Sequence, residues 1–293
     1  MGASLLNELD FVAIAEALTG QPRYQASALT GGVSAHTWKL DMADEQYVCR
    51  QSESINLQQE FLLLRELNSS PVPVPDVLLH NADRHYLVLK YIRGEVQYHW
   101  SRTKLDLAAK TLARIHSQNS TSVPTLKSPS QSLLTEPNRF YKVLEPLRSH
   151  LQGRAIKASN NPVMLHGDYW PGNMIWQEET LAAVIDWEDA HLGDPLVDLA
   201  TTRMELGWLM DWQASLEFTQ RYLHYNPVDT TDLFYWDCVV LDRLTRFVDV
   251  DLEDIALFFR EHGHPELTTA TIINQFHTLI EYLTADEPDS RQR

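Results

Sequence analysis

The stretch from Leu165 to Trp187 constrains this chain more than any other part of it. It reads LHGDYWPGNMIW, then a polar spacer, then LAAVIDW. Met174 to Trp176 is a short apolar run, Gln177 to Thr180 is turn-like, and Leu181 to Ile185 is apolar again with a β-branched end. That pattern predicts a hairpin. A hairpin makes its two ends neighbours, so Asn173 at the start meets Asp186 at the finish. Both carry hard oxygen donors of the kind Mg²⁺ prefers. Asp168 precedes the first strand on a loop punctuated by Pro171-Gly172, where it can accept a proton from a hydroxyl. A single loop aspartate is ordinarily a capping residue. Two aspartates and an asparagine that converge on one point form the arrangement needed for phosphoryl transfer from a metal-bound nucleotide.

The chain resembles the aminoglycoside phosphotransferase and choline kinase family, relatives of the protein kinases. The resemblance is carried by His166, Gly167, Asp168 and Asn173, by Ile185, Asp186, Trp187 and Glu188, and by Gly193-Asp194-Pro195 and Asp198-Leu199-Ala200. Weaker likeness runs from about residue 25 to about residue 250. It implies an α+β, bilobal, protein-kinase-like fold. A small, mainly antiparallel β lobe is expected over residues 1–93 and a larger, mostly helical lobe over 94–293. It further implies that Asp168 is the catalytic base, that Asn173 and Asp186 are the metal ligands, and that ATP is the co-substrate with Mg²⁺.

Other site residues are read against this resemblance. Thr30 to Ser34, with Gly31, Gly32 and Ser34, falls where the kinase fold covers the phosphates. Glycines let backbone approach phosphate oxygens, although the same residues would suit a plain hairpin turn. Arg50 ends a strand where the kinase fold has a lysine, and its guanidinium can grip phosphate in a fork. Otherwise it is a solvent-facing charge at a strand end. Residues 56–68 predict a helix with Leu57, Phe61 and Leu64 on one face, and Glu60 falls on that face. A buried carboxylate needs a partner, and Arg50 is the candidate; the alternative is that Glu60 reaches water at the edge of the stripe. Tyr86 to Ile92 predicts the last strand of the small lobe, with a hinge over 90–93 where the resemblance implies adenine contact by Lys90 and Ile92. His166 is expected to hydrogen-bond backbone near the loop. Glu188 is a further candidate for contact with metal, water or acceptor. Asp194 and Asp198 are expected to cap a helix and brace the loop.

Composition narrows the partners. The formal net charge of −16 argues against a nucleic-acid ligand. Residues 201–293 hold 17 acidic residues against seven arginines and no lysine. Where such charge lines a site it favours a cationic or neutral acceptor. Cys49 and Cys238 form neither a metal pattern nor a disulfide framework. No apolar run is long enough to span a bilayer and no secretory leader is apparent, so a cytoplasmic protein is expected. The expected reaction is transfer of a γ-phosphoryl group to a small-molecule hydroxyl. The alternatives are an aminoglycoside-type resistance kinase and a non-catalytic nucleotide-binding protein. A protein kinase is disfavoured, because Asp186 leads directly to Gly193-Asp194-Pro195 without room for a long activation loop. Oligomeric state is not readable.

Overall fold

The computed structural model describes residues 9–29, 35–42, 44–120, 122–124, 139–140, 142–147 and 160–285. The Thr30–Ser34 segment, with Gly31, Gly32 and Ser34, lies outside them, as does most of 125–159. Two compact units form. One takes the described residues up to Glu95 with 120–123 and 174–189, and the other takes the rest.

The first unit is built on a five-stranded antiparallel sheet. Helix α1 (Phe11–Thr19) comes first, followed by strands β1 (Gln25–Leu29), β2 (His36–Met42) and β3 (Glu45–Gln51). Helix α2 (Leu57–Leu67) then leads to β4 (Val77–Asn81) and β5 (Tyr86–Lys90). The strand order is β1-β2-β3-β5-β4. Asp10 caps α1 by accepting from the Ala13 N–H at 3.0 Å, and Gly20 ends it in the left-handed region. Ile14 and Ala15 of α1 pack on Leu40, Met42, Tyr47, Cys49 and Val88 of the sheet. Burial pushes the Cys49 thiol up to about 12, so it stays an inert apolar filler. Asn56 caps α2, whose buried face is Leu57, Glu60, Leu63, Leu64 and Leu67. Phe61 departs from the expected stripe: it is half-buried and stacks on His80, while Leu63 takes the core position. The hairpin of β8 (Met174–Gln177) and β9 (Thr180–Val184) also belongs to this unit, with Met174 opposite Val184. The Val184 N–H donates to the Pro73 carbonyl at 2.8 Å, which gives the extended Pro71–Pro75 segment a strand-like partner.

The second unit is mostly helical. After the two-residue strand β6 (Glu95–Val96) the chain enters α3 (Arg102–His116), capped by the Ser101 hydroxyl. Strand β7 (Val163–Leu165) pairs antiparallel with β10 (His191–Gly193). Helices α4 (Leu196–Leu209), α5 (Trp212–Tyr225), α6 (Leu233–Glu261) and α7 (Thr269–Ala285) follow. Nearly every residue of α4 is buried, and α5, α6 and α7 pack against it. It is therefore the axis of this unit. An ion pair crosses it: Arg203 of α4 meets Asp237 of α6 at 3.0 Å, with both side chains buried, and also donates to Thr219 of α5. Among the described residues no helix is long and apolar enough to cross a membrane.

Candidate active site

In the second unit, β7 runs into the loop His166-Gly167-Asp168. Asp198, from the first turn of α4, holds this loop through its backbone. Its carboxylate accepts from the His166 N–H at 2.7 Å and the Gly167 N–H at 2.9 Å. Gly167 has φ 88°, a conformation that penalises any side chain. Burial pushes the Asp198 carboxyl up, but hydrogen bonding and charge from His116 and the bonds at His166 prevail, so it lies below its ordinary value. It is thus a fixed anion on which two amides hang. His166 is buried, and its Nδ1 accepts from the Asp168 N–H at 3.2 Å. Tyr169 is buried as well, donating to the Ala108 carbonyl while its own carbonyl accepts from Thr202 of α4. Asp194 accepts from the Leu196 N–H at 3.0 Å, just before α4.

A short 3₁₀ turn, Pro171–Asn173, closes the loop. The Asn173 amide nitrogen donates to the Asp168 carbonyl at 2.9 Å and to its carboxylate Oδ2 at 3.0 Å. An amide facing a carboxylate must present nitrogen, which leaves its oxygen as the outward donor. That oxygen makes no hydrogen bond to a described residue. A Cβ at Gly172 would lie 2.1 Å from the Trp170 ring, which would then have to shift.

The first unit holds a separate charge cluster. Arg50, on β3 opposite Leu87, is nine-tenths buried. Its Nη1 lies 2.5 Å from Glu60 Oε1, and its Nη2 lies 2.6 Å from Asp186 Oδ1 and 3.0 Å from Glu188 Oε2. Burial alone would lower the Arg50 pKa, but the charges of Glu60, Asp186 and Glu188 hold it above its ordinary value. Burial likewise raises the Glu60 carboxyl, against the pull of Arg50. Among the described residues one cation, Arg50, thus faces three carboxylates. Asp186 carries φ 65°, unusual for a residue with a Cβ, and its side chain is 35% exposed. The following Trp187 is buried and donates to the Val184 carbonyl at 3.0 Å, which pins the turn.

Lys90 ends β5 opposite Tyr47 and pairs with Glu45 at 3.2 Å. Ile92 is half-buried in the irregular segment that follows. Glu205 was not singled out in the sequence. It is buried on α4 and accepts from Trp208 Nε1 at 2.7 Å. Burial, with a smaller contribution from the negative charge of Asp168, pushes its carboxyl up to about 8. The available signal was a glutamate in a helix rich in apolar residues, LVDLATTRMELGWL, which also carries Asp198 and Arg203.

Residues 25–230 match the profile of the phosphotransferase enzyme family, and the chain belongs to it. Two similar curated proteins are acyl-CoA dehydrogenase family member 11 of Gallus gallus and member 10 of Mus musculus. The first is 25% identical over 231 residues, covering 65% of this chain and 30% of that protein. The second is 26% identical over 204 residues, covering 58% and 19%. The chain thus spans less than a third of these relatives. Among solved structures, a spectinomycin phosphotransferase in complex with ADP and spectinomycin has a TM-score of 0.66 at 15% identity, covering 94% of this chain and 96% of that one. A choline kinase from Streptococcus pneumoniae has a TM-score of 0.62 at 18% identity, covering 93% and 98%. The fold is kinase-like α+β.

Proposed function

We propose that this chain is an ATP- and Mg²⁺-dependent kinase that moves the γ-phosphoryl group onto a hydroxyl of a small molecule. One observation carries the reading. The loop bearing Asp168 hangs by two amides from the buried Asp198 anion, and the Asn173 amide grips the Asp168 carboxylate, so this acceptor of protons is held in a fixed direction. In this reading Asp168 orients the acceptor hydroxyl and takes its proton as the new oxygen–phosphorus bond forms, while the bond from the γ-phosphorus to the bridging oxygen of ATP breaks and ADP leaves. The Asn173 amide oxygen and the Asp186 carboxylate hold Mg²⁺. Among the described residues no cluster of three His, Cys, Asp or Glu residues could hold a metal. A pair of hard oxygens fits Mg²⁺ nonetheless, because this ion ordinarily takes one or two protein oxygens and completes its shell with phosphate and water. When bound, it offsets the phosphate charge. Arg50, braced by Glu60, steadies the phosphates. Lys90 and Ile92 border the adenine, while Glu188 and His166 support the acceptor side and the loop.

The acidic balance of residues 201–293 favours a cationic or neutral acceptor. The names of the curated relatives favour a competing class, a hydroxylated acyl-CoA, which is a polyanion. An acceptor screen with purified protein, ATP and Mg²⁺ separates them when it includes amino alcohols, aminocyclitol antibiotics, neutral polyols and hydroxyacyl-CoA thioesters. Preference for a cation, with kcat/KM falling as NaCl is added, supports the first class. Preference for the thioester overturns the charge argument. Loss of Mg-ATP affinity in Asp186→Ala, read by calorimetry, tests the metal assignment, and unchanged affinity together with unchanged turnover would remove it.

A further inference from the structure

We propose that Tyr222 is a positioning residue. It fixes the tautomer of His116 and thereby the hold of Asp198 on the loop that carries Asp168. Its consequence for turnover rests on the phosphotransferase reading above; its geometry does not.

With a neutral imidazole at His116 the hydrogen-bond chain has one consistent direction, whereas an imidazolium would donate from both ring nitrogens. Asp198 is a buried anion and can only accept, so His116 Nε2, 3.2 Å from Oδ2, must carry a proton. His116 Nδ1 lies 2.7 Å from the Tyr222 hydroxyl. That hydroxyl lies 2.7 Å from the Asn226 amide nitrogen, which can only donate. The phenol oxygen therefore accepts from Asn226 and turns its own proton onto Nδ1. With Nδ1 occupied as an acceptor, Nε2–H is the tautomer presented to Asp198. His116, Tyr222 and Asp198 are all buried, at 5%, 0% and 0% exposure, so solvent is excluded as a substitute partner. The same Asp198 Oδ2 accepts from the His166 N–H at 2.7 Å. A His116 ring with its proton on the wrong nitrogen would turn a lone pair toward that anion, and the oxygen anchoring the loop would move.

The sequence spacing supports a built device. His116 closes α3, Tyr222 and Asn226 stand one turn apart at the end of α5, and Asp198 opens α4. Three helices thus converge on one backbone loop. Asp198 and Thr202 share a face of α4 and bind the loop at Gly167 and at Tyr169, on either side of Asp168. A shift at Asp198 is therefore delivered to Asp168.

The test uses wild type, Tyr222→Phe and Asn226→Asp of the full chain. Tyr222→Phe keeps the ring and removes the donor to Nδ1. Asn226→Asp leaves the phenol in place but offers a carboxylate that draws its proton away from His116. Two-bond ¹H–¹⁵N spectra report the His116 tautomer, and backbone amide shifts report His166 and Gly167. The expected result is a pure Nε2–H tautomer in wild type, a mixed or altered state in both variants, and displaced His166 and Gly167 amides. For turnover, kcat falls roughly 5- to 50-fold while KM for ATP stays within about twofold, as misplacement of a reacting group requires. If Tyr222→Phe fails to fold, Asn226→Asp decides the question. A wild-type tautomer protonated at Nδ1 overturns the inference. So do variants with wild-type spectra at His116, His166 and Gly167, or with lowered thermal stability alone and full kcat. A wild type that phosphorylates no acceptor removes the phosphotransferase reading, and the spectra still decide the network.

Discussion

Glu205 gives a sharp prediction in pH. Its carboxyl is buried on α4 and is pushed up to about 8, from an ordinary value of 4.5, by burial first and by Asp168 to a smaller degree. A folded-state pKa above the unfolded value means that the folded protein holds a proton the unfolded chain releases. The stabilising contribution is complete below about pH 4.5 and is lost as pH rises through about 8. At ~1.4 kcal/mol per unit, the interval corresponds to an upper figure of about 5 kcal/mol. Glu205→Gln keeps the shape and the acceptor for Trp208 but cannot ionise. The variant should match wild type near pH 5 and exceed it by several kcal/mol at pH 8.5. Because the chain forms two compact units, the assay should report the helical one: amide exchange within α4, compared between variant and wild type at equal pH, alongside urea unfolding. A difference between the two proteins that is the same at pH 5 and pH 8.5 would refute the reasoning.

Asp237→Ala should destabilise the helical unit by about 3–5 kcal/mol in urea unfolding, because it leaves the buried Arg203 without its carboxylate partner. Arg203→Met with Asp237→Leu should recover much of that loss, since an apolar pair carries no desolvation cost. Arg50→Ala should raise KM for ATP and lower kcat, while Arg50→Lys retains part of both; initial-rate kinetics with wild-type values in both variants would remove Arg50 from the nucleotide site. Arg50→Ala should also cost stability, since the nearly inaccessible Glu60 loses its cation.

Much of the kinase-like frame was legible in the sequence, and for local reasons. The β8–β9 hairpin has two apolar runs with a polar turn between them, and the structure pairs Met174 with Val184. The Leu57–Leu67 helix has a sequence signal in its Asn56 cap and its spaced leucines. The meeting of Glu60 with Arg50 followed from the rule that a carboxylate on a buried face needs a cation. Strand β4 was missed, and β1 carried only a weak signal. Gln-Ala-Ser-Ala-Leu has no alternation to read, and all five of its residues are exposed in the sheet edge. Phe61 was misjudged because helical spacing gives a stripe and not its centre; Leu63 fills the core and Phe61 sits at the margin. Glu205 and the Asn226–Tyr222–His116–Asp198 chain were invisible for a different reason. The members of that chain lie up to 106 residues apart, and only tertiary packing brings α3, α4 and α5 together; Glu205, bonded within α4, is set apart only by its burial.

The most direct test of the account is the turnover of Asp168→Asn against wild type, with ATP, Mg²⁺ and the best acceptor from the screen, beside calorimetric binding of Mg-ATP to both. The amide is nearly isosteric with the carboxylate but cannot take the hydroxyl proton. The account predicts a fall in kcat of ~10² to 10⁴, with nucleotide affinity largely retained. An Asp168→Asn protein that keeps more than about a tenth of the wild-type kcat would contradict the assignment of Asp168 as the base.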